Sequence, residues 1–406
     1  MVKNVDDLQL VKANSFDECV EAMNCSLNSF YPDGANEQIK SIWKYKWFSD
    51  PSFKLEMVLL AKHKGNIIGG IRTKQIKIRR DDQIFNCLGI GEIFTSLGAR
   101  GLGIAGKIVA FTIKVAEEDG YDLILGVARK NIDGFYLKHN FYGVGSYPKI
   151  IIKNISSSSN FTHRANGKYK FSTQKDFDIS LNKHYDNCYS NVFGSIVRTN
   201  EDWKYISGTL KNNLDILLEI YEDNKLVGYL IHSGNLIKEL SYDANINIGD
   251  LINDLSIFLN SDELHFAISS SHPLLTVDCG FDISVTLREC FYGGHIVRIT
   301  NVNSVVQKFI SREEKSFSSF NLNSLIFDID NIRVDINSRG VLLNQSKEEK
   351  KIHSFWGTAK IDFPISYNLT KLLLGIKTQY LFNPLVGVGG DSLSLLPFSI
   401  SSIDEF

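Results

Sequence analysis

The segment at residues 91–145 constrains the fold of this chain more than any other part of the sequence. It opens with a short apolar run at 91–95 and continues through a turn in which glycine recurs. Apolar residues then follow at intervals of four, three and four, at Ile104, Ile108, Phe111 and Val115. This spacing places them on one face of a helix, which Gly120 is positioned to end. A second apolar run at 123–128 follows, so the segment predicts a strand, a glycine-rich turn, a helix and a second strand.

The glycine-rich turn is suited to binding a phosphate group. It has the sequence Arg100-Gly101-Leu102-Gly103-Ile104-Ala105-Gly106 at the start of the predicted helix. Glycine and alanine leave the backbone N–H groups uncovered, and those groups point out of the positive end of the helix dipole. The turn therefore predicts a site for a phosphate or pyrophosphate, although a turn of this composition can also do no more than cap a helix.

Two phosphate-binding motifs fit this turn poorly. A P-loop requires serine or threonine after its lysine, and Ile108 stands at that position. Gly101, Gly103 and Gly106 have the GxGxxG spacing of a dinucleotide-binding fold. However, no acidic residue ends a following parallel strand, and hairpins precede the turn.

A third motif fits better. Arg100-x-x-Gly103-x-Ala105 matches R/Q-x-x-G-x-G/A, the motif of the GNAT acyltransferases. The strand before it, the helix after it, and a second strand followed by Asn131 and an aromatic cluster at 135–142 resemble the acetyl-CoA half of that family. The resemblance favours a GNAT domain over a simple helix cap.

The rest of the chain predicts two further modules. Two helices at 16–30 and 36–48 and several antiparallel strands precede the segment above, in the order of a GNAT domain. After a polar break at 156–160, a hairpin, a helix at 248–259 and a strand repeat this order weakly. The glycine-rich turn is not repeated, because Asp250 stands where a pyrophosphate would need a positive helix end. We therefore predict a second GNAT-like module that has lost its cofactor site.

The third module opens with the sequence HIVRITNV at 295–302, and the chain ends in IDEF at 403–406. This order of modules resembles the Eis-like (enhanced intracellular survival) acetyltransferases, whose third domain is similar to a sterol carrier protein. The resemblance implies an α+β (α/β mixed) fold. Two GNAT-like domains with mixed central sheets would occupy 1–155 and 156–294, and a sterol-carrier-protein-like α+β domain would occupy 295–406. It also implies a C-terminal tail that reaches the active site, and a homo-oligomer, namely a hexamer.

The same resemblance implies acetyl-CoA-dependent N-acetylation of a primary amine on a small molecule, such as an aminoglycoside, a polyamine or a lysine-like compound. The backbone of Ile93, Phe94 and Thr95 would bind the pantetheine arm, which Asn131 and Ile132 would flank. The pyrophosphate would lie on Arg100, Gly101, Leu102, Gly103, Ile104, Ala105 and Gly106.

Two catalytic residues are implied as well. Tyr136 takes the position of the general acid, and the terminal carboxylate of Phe406 that of the general base. An alkylamine is protonated at pH 7 and needs a base, whereas a tyrosine with a reference pKa of about 10 keeps a proton for the leaving thiolate. Tyr136 can also be a core aromatic residue of the cluster at 135–142. Glu92, on the strand before the turn, is a rival base.

Composition and charge limit the partners and the location that we expect for this protein. The net charge is −2, so we do not expect a nucleic acid as partner. The six cysteines are scattered without a CxxC pair, which predicts neither a metal site nor a disulfide framework. The N-terminal residues lack a hydrophobic leader pattern, and no apolar run approaches the roughly 18 residues of a membrane span. We therefore expect a cytoplasmic protein that binds neither metal nor membrane.

Two other functions fit the same sequence. The residues of the acceptor pocket lie outside the motifs, so the protein can be an acyltransferase that acts on an amino sugar in surface polysaccharide biosynthesis. The sterol-carrier-like third module also allows a non-catalytic protein that binds CoA or a hydrophobic ligand.

Overall fold

The computed structural model describes residues 7–308 and five strands between residues 324 and 363. Within 7–308, it leaves out residues 81, 129–131, 144–145, 154, 156–166, 175–178, 191, 193, 214, 270–271, 276–280, 282, 290–293, 303 and 306–307. The α-helices of the described part are α1 (Phe16–Phe30), α2 (Glu37–Phe48), α3 (Ile104–Glu118), α4 (Asp133–Leu137), α5 (Leu181–Tyr189), α6 (Asn200–Asn213) and α7 (Ile248–Leu259).

Two large sheets contain most of the strands. These strands are β1 (Leu8–Lys12), β2 (Val58–His63), β3 (Asn66–Arg80), β4 (Gln83–Thr95), β5 (Leu123–Ala128), β6 (Tyr142–Gly143), β7 (Ser146–Lys153), β8 (Tyr169–Gln174), β9 (Ser195–Ile196), β10 (Ile216–Glu222), β11 (Lys225–Ser233), β12 (Leu236–Tyr242), β13 (Glu263–Phe266), β14 (Ile283–Glu289) and β15 (Gly294–Ile299).

The first sheet has the strand order β1-β2-β3-β4-β5-β15-β6, with β9 paired to β3. Only β4 and β5 run parallel among the described pairs of this sheet. Successive residues of a strand point to opposite faces. Leu59 accordingly packs in one core with Ile104 and Ile108 of α3, and Leu60 packs in another with Trp47 of α2. Helices therefore cover both faces of the sheet, as a mixed sheet in an α/β protein requires.

The second sheet has the order β14-β7-β13-β12-β11-β10-β8. One continuous core joins it to Tyr185 of α5, Trp203 of α6 and Leu251 of α7. Helix α7 begins as predicted, because the side chain of Asn247 accepts a hydrogen bond from the Asp250 backbone N–H at 3.0 Å. We call the first sheet with α1 to α4 the first unit, and the second sheet with α5 to α7 the second unit. Asp250 lies in the first turn of α7, and the corresponding position of the first unit is the glycine-rich turn.

The two sheets exchange strands relative to the predicted domain boundaries. Strand β7 follows the first sheet along the chain, yet it pairs with β13 and β14 of the second. Strand β15 comes after the second sheet, yet it lies between β5 and β6 of the first. The sheets thus divide the chain differently from the predicted boundaries after residue 155 and before residue 295.

The described strands beyond residue 308 form two small antiparallel sheets. One contains β16 (Ser324–Ile329), β17 (Ile332–Asn337) and β18 (Gly340–Gln345), and the other contains β19 (Ile352–Trp356) and β20 (Ala359–Phe363). The predicted mixed fold with two mixed central sheets is confirmed. The predicted tail that ends in Phe406 lies outside the described residues.

Candidate cofactor-binding site

The glycine-rich turn adopts the backbone conformation for which its composition is suited. Gly101 has φ +82° and Gly103 has φ +72°, both in the left-handed region. A Cβ at either residue would meet no atom within 4 Å, so the backbone conformation, rather than lack of space, requires glycine. Gly103 caps α3 without a side-chain hydrogen bond. The first N–H groups of α3 therefore face outward at the positive end of the helix, where an anion is stabilised.

Next to this turn, β4 and β5 separate. Their parallel pairing runs from Cys87 opposite Leu123 to Ile90 opposite Gly126, where the described ladder ends. Strand β4 continues to Thr95, paired there only with β3 among the described strands. The edge of β4 that faces β5 is therefore available to an extended ligand, which can pair with a strand edge through backbone hydrogen bonds.

A cavity of about 610 Å³ lies over the turn and this strand edge. Ten of the predicted cofactor-binding residues line it, namely Ile93, Phe94, Thr95, Arg100, Gly101, Gly103, Ile104, Ala105, Gly106 and Ile132. Leu102 does not line it, and Asn131 lies outside the described residues. The cavity is also lined by residues that the sequence reasoning missed, namely Ser29, Phe30, Ala99 and Phe135.

The end of α1 is tied to both parts of this site. The Ser29 hydroxyl donates a hydrogen bond to the Thr95 carbonyl oxygen at 3.2 Å. Arg100 donates from its guanidinium to the Ser29 carbonyl oxygen at 3.0 Å. Both contacts join residues that are more than sixty positions apart in sequence. No local motif reveals such a contact, which is why Ser29 and Phe30 escaped prediction.

Tyr136 lies on α4 beside the cavity rather than on its lining. Its side chain packs in the core between the first sheet and α3, and its ring centroid lies 5.0 Å from that of Phe135 and 5.8 Å from that of Phe141. Burial raises the pKa of Tyr136 to about 12. Its phenol is therefore protonated at neutral pH, as a proton donor must be, and its packing also matches the predicted alternative of a core aromatic residue.

Glu92 is already engaged in an ion pair. It has φ +54°, and its carboxylate accepts a hydrogen bond from Arg72 Nε at 3.0 Å. Arg72 also lies 3.5 Å from the carboxylate of Asp50. The rival base is therefore already engaged in a charge-assisted hydrogen bond with a guanidinium. Phe406, the other predicted base, lies outside the described residues.

The described residues contain neither a metal-binding cluster nor a membrane-spanning helix. No group of three or more histidine, cysteine, aspartate or glutamate side chains there is arranged to hold a metal ion. No helix within the same residues has the length and apolar character that crossing a membrane requires.

The part of the chain that contains this site is similar to a known protein family. Residues 17–141 match the model of the acetyltransferase (GNAT) family. This segment contains the glycine-rich turn, the edge of β4 and Tyr136, so the predicted GNAT acyltransferase class is confirmed for residues 17–141. No curated protein sequence matches the chain.

Solved structures extend the likeness beyond that segment. A GCN5-related N-acetyltransferase from Anabaena variabilis is 14% identical, with a TM-score of 0.67 over 98% of this chain and 100% of that one. A probable N-acyltransferase from Enterococcus faecalis V583 is 12% identical, with a TM-score of 0.61 over 84% and 85% of the two chains. Eis1 from Mycobacterium abscessus is 13% identical, with a TM-score of 0.59 over 84% and 86%. At this level of identity the likenesses establish the fold.

Proposed function

We propose that this protein transfers the acetyl group of acetyl-CoA to a primary amine of a small molecule. The observation that carries the proposal is that the glycine-rich start of α3 and the edge of β4 open into the same cavity. A ligand with a pyrophosphate and an extended amide-containing arm needs both features side by side. Both lie within the residues that match the GNAT family.

The residues of the chain have separate roles in this proposal. The N–H groups at 101–106 hold the pyrophosphate, and the backbone of Ile93, Phe94 and Thr95 binds the pantetheine arm, flanked by Asn131 and Ile132. Acetyl-CoA supplies an activated thioester. Tyr136, protonated at neutral pH, donates a proton to the leaving thiolate.

The amine must lose a proton before it can attack, and we assign this step to the terminal carboxylate of Phe406. Glu92 is the less suitable base, because its carboxylate is paired with Arg72 and only 9% of its side chain is exposed. The tail can supply Phe406 if the chain has the Eis-like organisation, with a sterol-carrier-protein-like domain at 295–406 and a homo-oligomeric assembly. The likeness in fold to Eis1 from Mycobacterium abscessus supports that organisation.

The proposal is tested by free-thiol release from acetyl-CoA with a panel of acceptors. The panel contains aminoglycosides, polyamines, lysine-like amines and nucleotide-linked amino sugars. Native protein is compared with a variant extended past Phe406 by a short glycine–serine segment, and the same segment on the N-terminus is the matched control. We expect thiol release with a small amine that is lost only in the C-terminally extended protein.

Other outcomes separate the alternatives. Release that survives the C-terminal extension would retain the enzyme and move the base to Glu92 or to a water chain. Release only with amino sugars would favour the polysaccharide acyltransferase. Acetyl-CoA binding without release on any acceptor would favour the non-catalytic binding protein and contradict the proposal.

A further inference from the structure

Glu92 lies in a β-bulge at the point where β4 becomes the wall of the cavity. Gly91 pairs with Arg72 and Phe94 pairs with Gly70, so Glu92 and Ile93 together face Ile71 alone. With φ +54°, Glu92 has a backbone conformation that is costly for any residue except glycine. A bulge changes the direction of the strand that follows it. The conformation of Glu92 therefore sets the direction of β4 along 93–95, the part that lines the cavity.

A chain of buried contacts holds Glu92 in place. Arg72 Nε donates to the Glu92 carboxylate at 3.0 Å, and Arg72 lies 3.5 Å from the Asp50 carboxylate. Asp50 in turn accepts hydrogen bonds from the backbone N–H and the hydroxyl of Ser52, at 2.9 and 2.7 Å. The exposed fractions of the Arg72, Glu92 and Asp50 side chains are 6%, 9% and 5%. Removing one partner of so buried a pair leaves the other charge uncompensated.

Helix α6 of the second unit lies near this ion pair. Burial raises the pKa of Tyr205 on α6, Arg72 lowers it, and the carboxylates of Asp50 and Glu92 raise it, so this phenol lies within electrostatic reach of the ion pair. The Tyr205 ring stacks on that of Tyr45 with a centroid distance of 5.5 Å, and the Tyr45 hydroxyl donates to the Tyr205 carbonyl oxygen at 3.0 Å. A Cβ at Gly208 would stand 1.9 Å from the Tyr45 hydroxyl oxygen, so glycine is required for this contact.

We propose that Arg72 is a positioning residue of the acetyl-CoA site: it holds Glu92 in the bulge and so fixes the cavity-facing edge of β4, while α6 of the second unit shields the pair from water. This inference rests on the proposed function in that it treats this edge as the one that binds the pantetheine arm. It also gives the second unit, which has Asp250 in place of a phosphate-binding turn, a role in the first unit's site.

The test combines hydrogen exchange with calorimetric titration of acetyl-CoA. In Arg72→Met, Glu92 loses its partner and leaves the bulge, so we expect faster amide exchange in the peptide that spans 91–96. Affinity for acetyl-CoA should fall about tenfold or more. Glu92 relaxes from its strained conformation, and the edge of β4 that faces the cavity is then no longer fixed. Arg79→Met is the matched control, because Arg79 lies on the same strand and pairs with Asp186 at 2.7 Å. It should leave exchange at 91–96 unchanged.

A double variant separates positioning from a general loss of structure. Glycine adopts φ +54° without strain and removes the Glu92 carboxylate that Arg72→Met leaves unpaired, so Glu92→Gly in the Arg72→Met background should slow exchange at 91–96 and recover most of the affinity. Exchange at 91–96 that is equal in native protein and Arg72→Met, or a double variant no better than the single one, would overturn the inference. Failure of the native protein to bind acetyl-CoA would instead contradict the proposed function, and the exchange data would still decide the role of Arg72.

Discussion

Gly126 lies directly opposite Ile90 in the last pair of the parallel ladder between β4 and β5, and a Cβ at Gly126 would stand 2.8 Å from Ile90 Cγ1. On its other side, Gly126 pairs with Ile296 of β15. The point where the two strands separate is therefore closed by isoleucine side chains that pack over a glycine. This contact defines the inner end of the candidate cofactor site.

We predict that Gly126→Ala moves the two strands apart. The added methyl group overlaps the Ile90 side chain, so the free energy of unfolding should fall by about 1–3 kcal/mol. Urea unfolding measures this change. In the double variant Gly126→Ala/Ile90→Ala the overlap is absent, so its loss should be smaller than the sum of the two single losses. Additive losses would contradict the proposed overlap.

Local patterns in the sequence were sufficient to predict the helices and strands that position the glycine-rich turn. The spacing of Ile104, Ile108 and Val115 predicted α3, and all three are buried. Helices α1 and α7 and strand β5 were predicted with the bounds that the structure has. Each of these elements carries its signal within its own residues, through apolar periodicity, a cap or a run of apolar residues.

Features that depend on distant contacts were not predicted. The bulge at Glu92 is paired with Arg72, twenty residues away in sequence, so the predicted strand at 91–95 was not recognised as the end of the longer strand β4. The exchange of β7 and β15 between the sheets is a matter of strand pairing, which periodicity does not specify. Helix α6 was missed although Trp203, Ile206 and Leu210 have helical spacing and are buried. Its polar composition concealed that signal.

Gly103 should be sensitive to substitution because of its backbone. We predict that Gly103→Ala weakens acetyl-CoA binding, since alanine at φ +72° is strained and shifts the first N–H groups of α3. Titration calorimetry measures the affinity. Gly98→Ala in the same loop is the control, because a Cβ there meets no atom within 4 Å and Gly98 does not have a positive φ. Equal losses in both variants would show that the conformation of Gly103 is not the cause.

Tyr136→Phe tests the proposed proton donor. Removing the hydroxyl should lower kcat by on the order of a hundredfold or more, with little change in affinity for acetyl-CoA. Because burial raises the pKa of Tyr136 to about 12, the native enzyme keeps this proton until the pH approaches 12. Tyr136 should therefore cause no fall in kcat between pH 8 and pH 10. An unchanged kcat in Tyr136→Phe would leave Tyr136 as a core residue only.

The exchange of β7 and β15 between the two sheets predicts that the first unit is not stable as a fragment that ends at the predicted domain boundary. A fragment that ends at residue 155 lacks β15, which pairs with β5 along its whole length. It also lacks Thr300, whose N–H and hydroxyl donate to the carbonyl oxygens of Asp122 and Tyr121 at 3.0 and 2.6 Å. We expect this fragment to expose an apolar sheet edge and to aggregate. Adding residues 294–308 through a flexible linker should restore a cooperative thermal transition, and a fragment stable without them would contradict this.

His272 should make the stability of the second unit depend on pH. It is fully buried, where its Nε2–H donates to the Leu240 carbonyl oxygen at 2.9 Å and its Nδ1 accepts from the Leu274 N–H at 3.1 Å. Protonation at Nδ1 would break the second bond, and burial lowers the pKa of His272 to about 4. The unfolded chain takes up this proton below pH of about 6.5, so stability should fall as the pH drops from there towards 4.

The pKa of His272 differs by roughly 2.5 units between the unfolded and the folded chain, which corresponds to a change of about 3 kcal/mol in the free energy of unfolding. Urea unfolding of native protein and of His272→Gln at pH 7 and at pH 4.5 measures it. The variant is expected to be less stable at pH 7, because it loses the two hydrogen bonds, but to lose less stability on acidification than the native protein. An equal loss in both would show that other groups, such as His139, whose pKa is also lowered by burial, account for the acid sensitivity.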